Sequence, residues 1–354
     1  MSLHQLGWNE SWQAKLEPYQ NSNFIPGRLV AGFGAQWRMA SEHGERTAFC
    51  RPHHQERIGA LAVGDWVLAQ ARPDGHETVD IHALLPRQSK LARKRPGRAT
   101  LDQVLAANMD WIFILTSMNA EFNPARLERY LTMAWQSGAT PVMVLTKADL
   151  CDDPDPFMEE VEALAIGVSC HLTSAEEGRG LDGLVPYFQP NRSIVFVGSS
   201  GVGKSSLINA LAGEPVLRTG AIRQADTRGR HTTTHRELFC LPSGGVVVDS
   251  PGLRELQIWD DGDALSQTFA DIESLAGSCY FRDCQHHQEP DCAVLEAVRT
   301  GQLPERRLAS FHKLQREIAH LDSKMTVAAA QDRKRNDKFF AKQLRQIQRI
   351  KNHK

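Results

Sequence analysis

Three structural units of different class are predicted for this chain: a small N-terminal β-barrel, a central α/β domain on a mostly parallel sheet, and a C-terminal helical region that holds a metal. Three observations carry this. Short β-branched runs broken by turn residues fill the segment before residue 85, and apolar strands alternate with helix-length segments from 101 to 259. A Cys/His cluster then interrupts helical sequence after residue 263. The expected limits are 1–100, 101–262 and 263–354.

The chain has 354 residues, 41% hydrophobic and 23% charged, which is ordinary for a globular protein with a real core. Its net charge of −1 excludes a polycation, so any nucleic-acid binding must come from local patches. The first twenty residues carry neither a basic start nor a continuous apolar run, which argues against a secretory leader. Without a stretch of eighteen apolar residues, no membrane span is expected. The seven cysteines are an odd number, four scattered and three clustered. That fits a reducing cytoplasmic location and one metal site better than a disulfide framework.

In the first unit "GRLVAGF", "TAFCR", "DWVLAQ" and "TVDIHALL" read as strands between Gly, Pro and Asp turns. Five short strands in this length suit an oligonucleotide-binding (OB) barrel. The basic run "RQSKLARKRPGR" that follows reads either as a solvated linker or as a phosphate contact.

The central unit opens with the buried strand "WIFILTSM" and the helix "NPARLERYLTMAWQSG", which has Asn123 as cap, Pro124 in the first turn and Gly138 at the end. "PVMVLTK", "IGVSCHLTSA", "SIVFVG" and "GGVVVDSPG" supply further strands. Strands separated by helix-length segments imply a parallel sheet covered on both faces.

Gly198, Ser199, Ser200, Gly201, Val202, Gly203, Lys204 and Ser205 satisfy G-x-x-x-x-G-K-[ST], with an apolar strand before and a helical segment after. Glycines let backbone N–H groups close around phosphates, and the helix N-terminus adds partial positive charge. Lys204 then reaches the β- and γ-phosphates and Ser205 ligates Mg²⁺. Asp249, at the end of the last strand, can hold the Mg²⁺ shell, and the Gly252 N–H can meet the γ-phosphate.

Thr146-Lys147-Ala148-Asp149 closes another strand. The Asp149 carboxylate can accept from guanine N1–H and the exocyclic amine, donors that adenine lacks on that edge. The Lys147 stem can cover one base face. Thr146 stands where Asn is commoner. Thr173, Ser174 and Ala175 end the next strand, where a backbone N–H can meet the guanine O6. These elements run guanine first, phosphate second. Ligands of open parallel sheets lie beyond the carboxyl ends of the strands, so the pocket depends on where the ends lie and not on their order. The set is that of a circularly permuted P-loop GTPase domain.

The long polar segment "RTGAIRQADTRGRHTTTHREL" reads as a switch that orders around ligand. Thr232, Thr233 or Thr234 can complete the Mg²⁺ shell, and Thr233 is carried as the site residue. Leu253 follows Gly252, and it cannot orient water as a Gln would. Slow intrinsic hydrolysis is therefore expected, with His231 as the nearest candidate to supply the contact.

Cys279, Cys284 and Cys292, with His286 or His287, form a Cys₃His set, the donor chemistry of one closed structural Zn²⁺ site. Beyond it, "QDRKRNDKFFAKQLRQIQRIKNHK" is rich in Lys and Arg, as a tail or an RNA-seeking arm.

Through "GSSGVGKSS", "GRHTTTHREL", "DSPG", the permuted order and "CYFRDCQH", the chain resembles the ribosome small-subunit-dependent GTPase A family over nearly its whole length. The resemblance implies an OB-like barrel, a permuted GTPase core and a C-terminal zinc region. It further implies binding of the small (30S) ribosomal subunit and its rRNA late in maturation, with GTP hydrolysis to GDP stimulated by the ribosome. Carried over by motif, nucleotide contacts fall on Thr146 to Asp149 and Gly198 to Ser206, and zinc on Cys279, Cys284, His286 and Cys292. A non-polar residue at the Leu253 position is common in that family. A monomer is expected. The alternatives are an RNA-binding protein that uses GTP as a structural or switch ligand, and a GTPase that acts on tRNA or mRNA.

Overall fold

The structure is a computed structural model, and it describes residues 2–19, 22–72, 78–95, 98–217, 237–249, 262–321 and 323. Helix α1 (Glu10–Leu16) starts where the Asn9 side chain accepts from the Trp12 N–H at 3.3 Å. It lays Trp12 against Trp8 and Trp66 at the end of the barrel.

The barrel comprises β1 (Ile25–Phe33), β2 (Gln36–Ser41), β3 (Gly44–Cys50), β4 (Trp66–Ala71) and β5 (Thr78–Leu84), with helix α2 (Pro52–Ile58) between β3 and β4. β1, β2 and β3 form an antiparallel meander, β3 pairs parallel with β5, β5 antiparallel with β4, and β4 returns to β1. This is a closed five-stranded barrel, as expected. Its interior is filled by Leu29, Met39, Val67, Val79 and Ile81, alternate inward positions of the paired strands. Sequence inspection found four of the strands. It missed β2, whose "QWRMAS" is too polar at its outer positions to stand out.

The basic run is not a free linker. β6 (Lys90–Arg95) pairs antiparallel with β7 (Arg98–Ala107), so the expected limit at residue 100 falls inside a strand. The reason is apolar: Leu91, Leu105 and Ala106 are buried in the main core.

The central sheet is ordered β10-β9-β8-β11-β13-β12, from β8 (Trp111–Ser117), β9 (Thr140–Thr146), β10 (Ser169–Leu172), β11 (Ser193–Gly198), β12 (Glu237–Cys240) and β13 (Val246–Asp249). All neighbours are parallel except β12, which runs antiparallel to β13. Val195, Val197, Met143 and Leu145 face one covering layer, and Phe113, Val144 and Phe196 the other. Helix α3 (Pro124–Gln136) begins at Asn123, whose Oδ1 accepts from the Arg126 N–H at 3.0 Å. Helices α4 (Asp155–Leu164) and α5 (Lys204–Ala212) complete this unit.

Barrel and nucleotide unit form one sheet of eleven strands, because Ala31 of β1 pairs with Glu237 of β12. Arg28 lies fully buried at the seam. Its guanidinium donates to the carbonyls of Leu6 (2.5 Å), Asn108 (2.9 Å) and Gly64 (3.2 Å) and to Ser193 Oγ (2.8 Å). Burial pulls its pKa down to about 10, with Asp110 opposing, so it stays charged at neutral pH.

Helices α6 (Gly262–Thr268), α7 (Ala270–Ala276), α8 (Ala293–Arg299) and a helix over 305–321 enclose a separate core around Phe269, Ile272, Val294 and Phe311. This unit docks on α3. Arg307 bridges Glu128 (2.8 Å) and Asp271 (2.9 Å) and lies over the Phe269 ring, while Arg129 holds Glu317 at 2.6 Å. Among the described residues no helix is long and apolar enough to cross a membrane.

Candidate nucleotide-binding site and metal centre

Parallel pairing puts the C-terminal ends of β8, β9, β10, β11 and β13 on one edge of the sheet. The sequence-predicted residues lie there. Gly198 ends β11 where a Cβ would come 2.7 Å from the Leu115 carbonyl, so only glycine lets the chain turn beside β8. Gly203 caps α5 with φ 99°, a left-handed conformation that aims the first N–H groups of the helix back into the loop. Between them Val202 is buried while Ser200 and Gly201 are exposed. Ser205 is half-buried and Ser206 exposed in the first turn of α5.

The Lys204 ammonium folds back across the loop and donates to the Gly198 carbonyl (2.8 Å) and the Ser199 carbonyl (2.7 Å). A cation is thereby held against two loop carbonyls at the N-terminus of α5. That is the electrostatic requirement for a polyphosphate.

Thr146, the last residue of β9, is buried, and its hydroxyl donates to the Val202 carbonyl at 2.6 Å, with the Thr116 carbonyl at 3.1 Å. The "TKAD" corner and the phosphate loop are thus hydrogen-bonded to each other. Lys147 has φ 61° and turns the chain sharply, after which Ala148 N–H donates to the Thr173 carbonyl at 3.1 Å. Asp149 Oδ1 accepts from Ser174 Oγ at 2.5 Å, and Ser174 Oγ accepts from the Glu177 N–H at 3.1 Å. Ala175 is half-buried beside it. The hydroxyl of Ser174 therefore orients the carboxylate expected to read guanine. Sequence reasoning had considered only a backbone N–H at this turn, because nothing in "TSA" says which strand end it faces.

Asp249 ends β13 next to the strand that carries the phosphate loop, and its Cα partner on the other side is Glu237. Its side chain is not among those described, and His231, Thr232, Thr233, Thr234, Gly252 and Leu253 lie outside the described residues.

The ligand atoms of Cys279, Cys284, His286 and Cys292 all lie within 4.8 Å of one another. Cys279 Sγ and Cys292 Sγ are 3.8 Å apart, and His286 Nδ1 is 3.7 Å and 3.4 Å from them. Tetrahedral coordination with Zn–S bonds of about 2.3 Å requires sulfurs about 3.8 Å apart. The donor set fits one zinc ion. His286 turns into the cluster with φ 58°, whereas the His287 ring lies 4.2 Å from His312. Glu289, which sequence reasoning passed over, fastens the loop: its carboxylate accepts from the N–H groups of Gln285 (2.9 Å), His287 (2.8 Å) and Gln288 (3.0 Å). These backbone donors, Gln285 first, hold its pKa down at about 2.

A phosphate loop and a guanine-type corner joined across a parallel sheet, with the corner first in the chain, define a circularly permuted P-loop GTPase fused to a barrel. A family model described as RsgA GTPase matches residues 84–259, and one described as 50S ribosome-binding GTPase matches 193–329. The small ribosomal subunit biogenesis GTPase RsgA of Syntrophotalea carbinolica is 41% identical over 351 residues, 95% of either chain. RsgA 1 of Oceanobacillus iheyensis is 47% identical over 80% of either chain. The crystal structure of YjeQ from Thermotoga maritima superposes with a TM-score of 0.64 at 28% identity, covering 84% of this chain and 99% of that one. The chain belongs to the RsgA GTPase family.

Proposed function

We propose that this protein binds the small ribosomal subunit and its rRNA and hydrolyses GTP to GDP and phosphate there, late in subunit maturation, with the subunit stimulating the reaction. The observation that carries the reading is the Thr146–Val202 hydrogen bond, which brings base-reading and phosphate-binding elements into one cleft beside a barrel. The relatives that span the whole chain are named for small-subunit biogenesis.

In this reading Gly198 to Ser206 cradle the phosphates with Lys204 neutralising them. Ser205 and Asp249 hold Mg²⁺, which supplies charge neutralisation when GTP is bound. Thr233 and Gly252 sense the γ-phosphate, and His231 orients water. Thr146 to Asp149, with Ser174 and Ala175, hold guanine. Cys279, Cys284, His286 and Cys292 hold a structural zinc that staples a segment with little core of its own. The protein acts as a cytoplasmic monomer, and its nucleotide unit ends near residue 262.

GTP turnover titrated against purified small subunits tests this. The expected result is a saturable rise in rate. Absence of any rise, or an equal rise with tRNA or mRNA alone, would overturn it.

A further inference from the structure

A cleft of about 940 Å³ on the barrel is used by neither the nucleotide site nor the metal centre. It lies between α2, the end of β5 and the start of β6. Its charged or chargeable nitrogen groups come from His54, Arg57, His82, Arg87 and Lys90, and among the described residues no carboxylate lines it. A one-signed cleft with low-dielectric walls concentrates potential and attracts anions. Arg87 is largely neutralised by Asp65, at 2.7 Å through two nitrogens, and serves as a wall. Arg57 and Lys90 are exposed and lie outside the ion pairs found among the described residues, so they carry the free charge.

The cleft also has aromatic faces. Phe24 and His82 lie 5.2 Å apart between ring centroids at 34°, and His54 meets His82 edge-on at 4.5 Å. His82 is held from behind, its carbonyl accepting from Arg57 Nη2 at 2.8 Å. Tyr19 adds a fourth aromatic wall. Cations beside half-buried rings suit a ligand with both phosphates and flat bases. A free phosphate leaves the rings unused, and a duplex keeps its base faces stacked inside.

We infer that this cleft binds a single-stranded stretch of RNA, with phosphates on Arg57 and Lys90 and an unpaired base against Phe24 and His82. The inference rests on the proposed ribosomal role for the source of the RNA, and it assigns that role a contact point at the α2 end of the barrel.

The test uses the full-length zinc-loaded protein and a fluorescent twelve-nucleotide RNA, with its duplex form and uridine monophosphate as competitors. Arg57→Gln with Lys90→Gln should weaken single-strand binding and lower the magnitude of the log–log salt slope by about 1.4, the share of two phosphate contacts. Phe24→Leu, which keeps apolar volume, should weaken binding about ten-fold and leave the salt slope unchanged. Arg46→Gln, a barrel cation outside the cleft, should change neither. The inference is overturned if both groove variants bind as the parent does, or if duplex or uridine monophosphate competes as well as the single strand. Basal and subunit-stimulated GTP turnover are read in parallel on the unaltered protein. Loss of stimulation there would refute the ribosomal role while leaving the RNA measurement interpretable.

Discussion

The hydroxyl of Thr146 donates to the carbonyl of Val202, 56 positions along the chain, across 2.6 Å. Thr146 therefore locks the "TKAD" corner to the phosphate loop. Thr146→Val is nearly isosteric but leaves a buried carbonyl without its donor, at a cost of about 1–3 kcal/mol. GDP affinity should fall roughly ten-fold or more by calorimetry, in line with that cost. Thr146→Asn should stay within a few-fold of the parent. Equal affinity for Thr146→Val would show that the bond does not organise the site.

Lys204 is already centred in the loop by the Gly198 and Ser199 carbonyls. Lys204→Ala and Ser205→Ala should each reduce multiple-turnover GTP hydrolysis to background with unchanged circular dichroism. Surviving turnover in both would mean the phosphate and metal roles lie elsewhere.

Metal analysis should return one zinc per chain. His286→Ala should lose it and His287→Ala retain it, since only His286 Nδ1 faces the thiols. Chelation should raise amide exchange in α8 and leave the barrel strands protected. Equal zinc in both histidine variants would contradict the ligand set.

Arg307 is 5% exposed and bridges Glu128, itself 3% exposed, to Asp271. Arg307→Ala leaves a buried carboxylate without its cation, and removing one partner of such a pair costs about 3–5 kcal/mol. The docked C-terminal helices should unfold at a clearly lower temperature. Glu128→Leu with Arg307→Leu should recover much of the loss.

Asp80 responds to pH in a defined direction. Burial raises its pKa, but hydrogen bonds from Arg72 (2.5 Å) and Arg51 (2.6 Å) outweigh this and hold it below its ordinary 3.8. A carboxylate depressed on folding stabilises above its unfolded pKa, and the contribution is lost as pH falls through the folded value. Barrel amides in β3 and β5 should keep constant protection from pH 7 to about 4 and lose it below. Asp80→Asn should lower protection at pH 7 and flatten this acid limb. An unchanged acid limb would remove Asp80 from the account.

Much of this was legible because the chemistry is local. A strand, a glycine turn and a helix are contiguous from Ser193 to Ala212, so the phosphate loop could be read off one short stretch. The four candidate metal ligands fall within fourteen positions. Asn123 and Pro124 announced α3 in the same way. What stayed hidden depends on pairs distant in the chain. Ser174 reaches Asp149 only because β9 and β10 are neighbours, and no pattern within "TSA" encodes that. β12 has four residues and takes its place from β13 and β1 rather than from its own periodicity. The basic run hid β6 because Lys and Arg make up four of its six residues, while Leu91 is its one large apolar residue in the core.

The bridge between Ala31 of β1 and Glu237 of β12 joins the two halves by strand pairing at one register position. Torque applied to the barrel by a bound particle is thus delivered as shear to β12 and on to β13, the strand that ends in Asp249. Load on the barrel and the position of Asp249, the carboxylate proposed above for Mg²⁺, are coupled through β12 and β13.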